Sequence, residues 1–170
     1  MAAEGPEGFT DLDTLLRESD IVTIHIPLEN NLDFASDHFF DSMKDGAIFV
    51  NASRGEVIVE EAFLRNRPRF AGVVMDVWRH EPDITPAMLA AADIATPHIA
   101  GYSMQGKING TTAVVRATGE YFGIPELKAF SLPSAEKPFS LTRYDIMADD
   151  RALRAAPSDF ESLRSHYNYR

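Results

Sequence analysis

The feature that most constrains the fold is a series of short apolar runs set between segments with helical patterning. Ile21-Val22-Thr23-Ile24-His25 is a compact β-branched run ended by Pro27. Ala47 to Val50 and Phe70 to Met75 are two more runs, and Ile94 with Ala95 makes a shorter one. Between them the pattern predicts helices. The first opens on a cap at Thr10 or Asp11 and runs through Leu12, Leu15 and Leu16. The others span about Ser36 to Met43, stopped by Lys44-Asp45-Gly46, then Glu60 to Arg65 and Pro86 to Ala91. Strands that are apolar throughout and separated by helices predict a parallel sheet covered on both faces. The fold class is α/β.

The organisation along the chain follows. Residues 1–8, rich in Gly, Pro and Glu, are expected to be a disordered start. Residues 9–122 hold the sheet, its helices and a long helix from Gln105 to Phe122. Residues 123–137 have prolines and no clear period and read as a linker. Residues 138–170 form a small α+β segment, with a strand at Phe139 to Tyr144 and a helix at Asp159 to Tyr167. This tail is too short to hold a core of its own, so it should pack against something else, such as a partner chain.

Charge and composition narrow the function. A formal net charge of −10 and a pI near 4.9 disfavour nucleic acid and anionic membrane surfaces as partners. A small anionic substrate is still allowed, because one local Arg outweighs a distant net charge. There are no cysteines, which excludes disulfides, thiolate nucleophiles and thiolate zinc sites. His25, His38, His80 and His166 are too scattered for a zinc site, so no metal is expected. No apolar run reaches a membrane span and the N-terminus lacks a basic signal region, so a soluble cytoplasmic protein is expected.

In an open parallel sheet, ligands bind beyond the carboxyl ends of the strands. Three polar constellations fall there: VNASRG (Val50 to Gly55), MDVWRHEP (Met75 to Pro82) and TPHIAGY (Thr96 to Tyr102). Arg54 offers a charged fork suited to a carboxylate. Gly55 lets the backbone turn sharply or come close to a neighbour. His98, started in a fixed direction by Pro97, is a candidate to give or take a proton. Glu81 is the companion that would set its tautomer. Each has a plainer reading when taken alone: a surface ion pair, a core histidine, a solvated loop charge. Asp76 could cap a turn or hold a ligand. Ser53 lacks the G-x-S-x-G setting of a nucleophile, and no G-x-G-x-x-G phosphate loop occurs.

In order and character these three segments resemble the D-isomer-specific 2-hydroxyacid dehydrogenase family, over about Phe9 to Phe122. The resemblance implies part of a Rossmann-like parallel sheet with flanking helices, and NAD as cofactor. It implies that Arg54 binds the substrate carboxylate, His98 exchanges the hydroxyl proton and Glu81 supports His98. Asp76 would meet the nicotinamide carboxamide, and Ala52, Ser53 and Gly101 would line the cofactor. Ile26, before Pro27, stands where the family lines the adenosine side. Tyr102 matches a substrate-binding position.

HIAGYSMQGKINGTT and the tail from Tyr144 to Arg170 resemble a subfamily with an added dimerisation domain. Its members oxidise the 2-hydroxyl of 4-phospho-D-erythronate in pyridoxal phosphate biosynthesis. A small phosphorylated hydroxy acid as substrate and a homodimer through the C-terminal segment are therefore implied. The alternatives are another 2-hydroxyacid dehydrogenase of glyoxylate, hydroxypyruvate or phosphoglycerate type, or an inactive relic serving as a dimerisation module. The missing glycine-rich turn suggests an N-terminally truncated fragment that is inactive alone. An incomplete sheet would leave a strand edge and apolar surface exposed, favouring self-association.

Overall fold

A computed structural model of the chain describes residues 9–134 and 144–167. The chain divides into two compact units. One runs to His98 and also takes in Ile146–Ser165; the other holds Ile99–Asp145 and the last five residues.

The first unit contains the sheet. Its strands β1 (Ile21–Ile24), β2 (Ile48–Asn51), β3 (Gly72–Met75) and β4 (Ile94–Ala95) are all parallel and lie in sequence order. The helices between them are α1 (Leu12–Glu18), α2 (Asp37–Ser42), α3 (Glu60–Asn66) and α4 (Pro86–Ala91). Asp11 is the cap of α1, accepting from Thr14 N at 2.9 Å. Gly46 follows α2 with φ +79°, a conformation that suits a residue without a Cβ.

The core is aromatic at its centre. Phe49 of β2 meets Phe40 of α2 and Phe63 of α3 at ring distances of 5.3 and 5.8 Å, with Phe39 and Phe70 around them. Edge-to-face rings such as Phe40 and Phe49 add to what area burial alone supplies. Along each strand one set of side chains is buried: Val22 and Ile24, Phe49 and Asn51, Val73 and Met75. The alternate set is not. Ile21 is 60% exposed, and Ile48, Val50, Val74 and Ile94 are only half-buried. The parallel sheet with flanking helices is as expected, with one set of side chains more deeply buried than the other. Apolar runs record which side chains could be buried on either face, but the described helices bury one set fully and the other only in part.

The tail also differs from expectation. Residues 139–143 of the expected strand lie outside the described residues, and Tyr144 is irregular. The segment Ile146–Ser165 forms α7 (Ile146–Ala155), a 3-10 turn at Pro157–Asp159 and α8 (Phe160–Ser165). Its Leu153 and Phe160 are fully buried in the same core as the sheet, and α7 packs on β4. The tail does need something to pack against, and what it finds is this chain's own outermost strand.

The second unit is dominated by α5 (Met104–Phe122), capped by Ser103, whose Oγ accepts from Gly106 N at 2.9 Å. The stretch read as a linker holds a further short helix, α6 (Pro125–Lys128). Proline at its first position favours the turn despite the lack of any period. Gly119 permits the packing of α6 on α5, since a Cβ there would stand 2.6 Å from Lys128 N.

Candidate active site

Each strand hands its polar loop to the same rim of the sheet. After β2 the loop is shaped by Asn51, which is fully buried. Its Oδ1 accepts from both Ser53 N and Ser53 Oγ at 3.1 Å, and its Nδ2 donates to Arg54 O at 3.0 Å. This local closure turns the chain so that Arg54 is presented at the surface. Among the described residues the Arg54 guanidinium makes one hydrogen bond, from Nη1 to the neighbouring Ser53 O at 2.5 Å.

Gly55 comes next and lies against the following loop. A Cβ on it would be 1.9 Å from the carbonyl carbon of Trp78 and 2.2 Å from Arg79 N. The backbone of the Arg54 loop thus rests directly on the backbone that leads to Glu81. Arg79 reinforces the junction, donating through Nη2 to Ile58 O at 2.8 Å, to Glu56 O at 3.1 Å and to the Asp33 carboxylate.

Glu81 and His98 meet. Glu81 Oε2 lies 2.7 Å from His98 Nδ1, and its Oε1 accepts from Trp78 N at 2.8 Å. Both side chains are largely shielded, 18% and 19% exposed. With a carboxylate as acceptor on that side, Nδ1 carries the proton and Nε2 is left for proton exchange. The His98 backbone has φ +54°, in the left-handed region, and its N–H donates to Asp76 O at 2.7 Å. A non-glycine residue held there costs about 1 kcal/mol or more, and such strain gathers at functional positions.

Asp76 ends β3 and is buried. Its carboxylate accepts from Thr96 Oγ1 at 2.6 Å, and its N–H donates to Asn51 O at 3.0 Å. Thr96 O in turn accepts from Trp78 Nε1 at 2.9 Å. The ends of β2, β3 and β4 are therefore tied by one polar chain. Asn51, Trp78, Arg79 and Thr96 were not singled out by their sequence. Asn51, two residues before Ser53, carried a detectable turn signal; the others had none.

Beside this chain is a cavity of about 350 Å³, lined by His25, Ile26, Pro27, Leu28, Ala52, Ser53 and Arg54. Four of the expected residues, Ile26, Ala52, Ser53 and Arg54, share it. An apolar wall of Ile26, Pro27, Leu28 and Ala52 facing a guanidinium fits a flat heterocycle with charge nearby. Gly101 and Tyr102 belong to the second unit, where Gly101 has φ +80° and Tyr102 N donates to Ile99 O at 3.0 Å. Lys107 stands over the Tyr102 ring at 5.2 Å.

Residues 2–100 match the family model of the D-isomer specific 2-hydroxyacid dehydrogenase NAD binding domain. Erythronate-4-phosphate dehydrogenase of Yersinia enterocolitica is 36% identical over 191 aligned positions, covering 96% of this chain and 51% of the relative. The Yersinia pestis enzyme of the same name is 37% identical over the same shares. The chain thus spans about half the length of the curated relatives it matches. Among solved structures, D-lactate dehydrogenase from Aquifex aeolicus, complexed with NAD and lactic acid, has 28% identity and a TM-score of 0.56. That match covers 69% of this chain and 42% of the other. A glyoxylate reductase from Paecilomyes thermophila has 25% identity and a TM-score of 0.57 over 75% and 39% of the two chains. By its sequence and its parallel sheet, the chain belongs to the D-isomer specific 2-hydroxyacid dehydrogenase family, with residues 2–100 matching the NAD binding domain.

Proposed function

We propose that this chain supplies the acid–base half of an NAD-dependent oxidation of a 2-hydroxy acid, with 4-phospho-D-erythronate as substrate in pyridoxal phosphate biosynthesis. The observation that carries the reading is the Glu81–His98 pair at 2.7 Å, adjoining a loop that presents a guanidinium. Arg54 grips the substrate carboxylate as a two-pronged donor and orients C2. His98 Nε2 takes the proton of the 2-hydroxyl while Glu81 steadies the imidazolium that forms. Ile26, Ala52, Ser53 and Gly101 would line NAD and Asp76 would meet its nicotinamide carboxamide; when bound, the cofactor would supply the acceptor for the hydride from C2. The product is the 2-oxo acid; proton and hydride account for the two hydrogens removed. Tyr102 serves the phosphate end. The curated relatives' name supports this substrate over glyoxylate, hydroxypyruvate or phosphoglycerate.

We also assign the protein to the cytoplasm as a homodimer formed through its C-terminal segment. One side of α7 is already taken up by β4, so a partner would meet the outer faces of α7 and α8. Sedimentation measures this directly, and a monomer across the working concentration range removes the dimer. The reaction is tested by following NADH formation on 4-phospho-D-erythronate and on a panel of other D-2-hydroxy acids. In the full-length protein, turnover of the phosphorylated substrate, lost in Arg54→Ala and His98→Ala, is expected. Preference for another acid changes the substrate, and normal turnover by both variants removes the triad. The DNA upstream of Met1 separates the two remaining readings: an in-frame glycine-rich turn and substrate domain favour the enzyme, and a genuine start codon with its own ribosome site favours the relic.

A further inference from the structure

We propose that α7 positions the acid–base pair: Asp150, held by Arg154, sets the short strand β4 and so the turn that carries His98. β4 is two residues long and, among the described residues, is the outermost strand next to β3. The Ala95 N–H donates to Asp150 Oδ1 at 2.8 Å, where a further strand would have offered a carbonyl. Asp150 is 5% exposed, so its charge needs a partner, and Arg154 Nε stands 3.0 Å from both carboxylate oxygens. The rest of the Arg154 guanidinium donates to Leu89 O at 2.9 Å and Ala92 O at 2.7 Å, around the C-terminal end of α4. Asp150 and Arg154 thus hold the corner between α4 and β4 from both sides. Leu153, between them in sequence, is fully buried and anchors the helix.

The path from this corner to His98 is short and continuous. Ala95 is followed by Thr96, whose N–H donates to Met75 O at 2.9 Å and whose hydroxyl holds Asp76. The His98 N–H then donates to Asp76 O. A buried ion pair brings little net stability compared with an apolar contact of the same size, because desolvation offsets most of the attraction. Its advantage here is direction. A carboxylate locked by a guanidinium can bond the strand edge in only one register, which an apolar face could not enforce.

The inference rests on His98 and Glu81 being the acid–base pair, so its test reads the His98 ring without requiring turnover. Hydrogen exchange is followed by NMR at the Ala95 amide and at His98 Nδ1–H. In Asp150→Ala both are expected to exchange about tenfold faster, the weight of one hydrogen bond. In Asp150→Asn, which keeps an acceptor for Ala95, both are expected to stay within about twofold of the parent. Arg154→Gln, which frees Asp150 without removing it, is expected to accelerate both and replaces Asp150→Ala if that variant fails to fold. Arg69→Met, at the opposite end of the sheet, is expected to lower Tm and leave both protons unmoved. Unchanged His98 exchange in Asp150→Ala or Arg154→Gln, or equal acceleration in Arg69→Met, overturns the positioning role. A parent protein with no protected Nδ1–H contradicts the Glu81–His98 pair itself, which is a different failure.

Discussion

At the amino end of the sheet, Arg67 and Arg69 are fully engaged by the chain, whereas at the carboxyl end Arg54 is barely engaged at all. Arg69 donates to Phe40 O, Asp41 O, Met43 O, Asn66 Oδ1 and Asp45 Oδ1. Arg67 donates to Phe70 O, Ala91 O and Asp93 Oδ2. These guanidinia bond carbonyls at helix ends and turns, where backbone partners run short. Among the described residues, the Arg54 guanidinium hydrogen-bonds the carbonyl beside it and no other group. The difference teaches that a guanidinium's role is read from what it leaves unused. Its donors are consumed where the task is to hold the fold and kept available where the task is to hold a ligand.

The comparison breaks first on function. In the full-length protein, Arg54→Ala or His98→Ala should lower kcat/KM on a 2-hydroxy acid by about a thousandfold, near 4 kcal/mol of barrier, with Tm almost unchanged. A large fall in Tm would put Arg54 with the structural arginines. Gly55→Ala should come next, costing about 3 kcal/mol in denaturant unfolding, since its Cβ has no room against the Trp78 carbonyl. Arg69→Met should cost about 2 kcal/mol and leave ligand affinity intact, because it strips partners from several carbonyls at the far rim.

Smaller effects sharpen the contrast. Burial holds the Glu60 carboxyl above its ordinary range, against the hydrogen bond from Thr85 and the charges of Arg79 and His80. A raised folded value means that ionisation weakens the fold, so this penalty is present at neutral pH and fades as pH falls through the carboxylate range. Glu60→Gln should therefore stabilise by a few tenths of a kcal/mol at pH 7, after allowing for solvent screening, and by nothing near pH 4. Smallest of all, Asp11→Ala should lower Tm slightly through loss of the Thr14 cap. Asp11 is held below its ordinary range by that same cap, so the difference should vanish as pH falls through the folded value.

The sheet was legible because Val22, Phe49 and Val73 sit in β-branched or aromatic runs whose length and spacing admit little else. Arg54, Glu81 and His98 stood out by type and by lying just beyond strands, where an α/β sheet collects ligands. Their support did not stand out. Asp150 contacts Ala95 across 55 positions, and nothing in an acidic helix face announces that one carboxylate turns inward. Arg79 and Arg54 look alike as letters; only the packing of Gly55 against Trp78 decides which of them is consumed. The half-covered face of the sheet was hidden for a related reason, since hydrophobic runs do not say what stands against them.

A crystal structure of the full-length protein with NAD and a D-2-hydroxy acid decides whether Arg54 and His98 act on one ligand. The acid's carboxylate should lie on the Arg54 guanidinium, with its 2-hydroxyl oxygen about 3 Å from His98 Nε2. An acid bound away from Arg54, or a His98 ring whose Nε2 faces no ligand while Glu81 holds its other side, would contradict it.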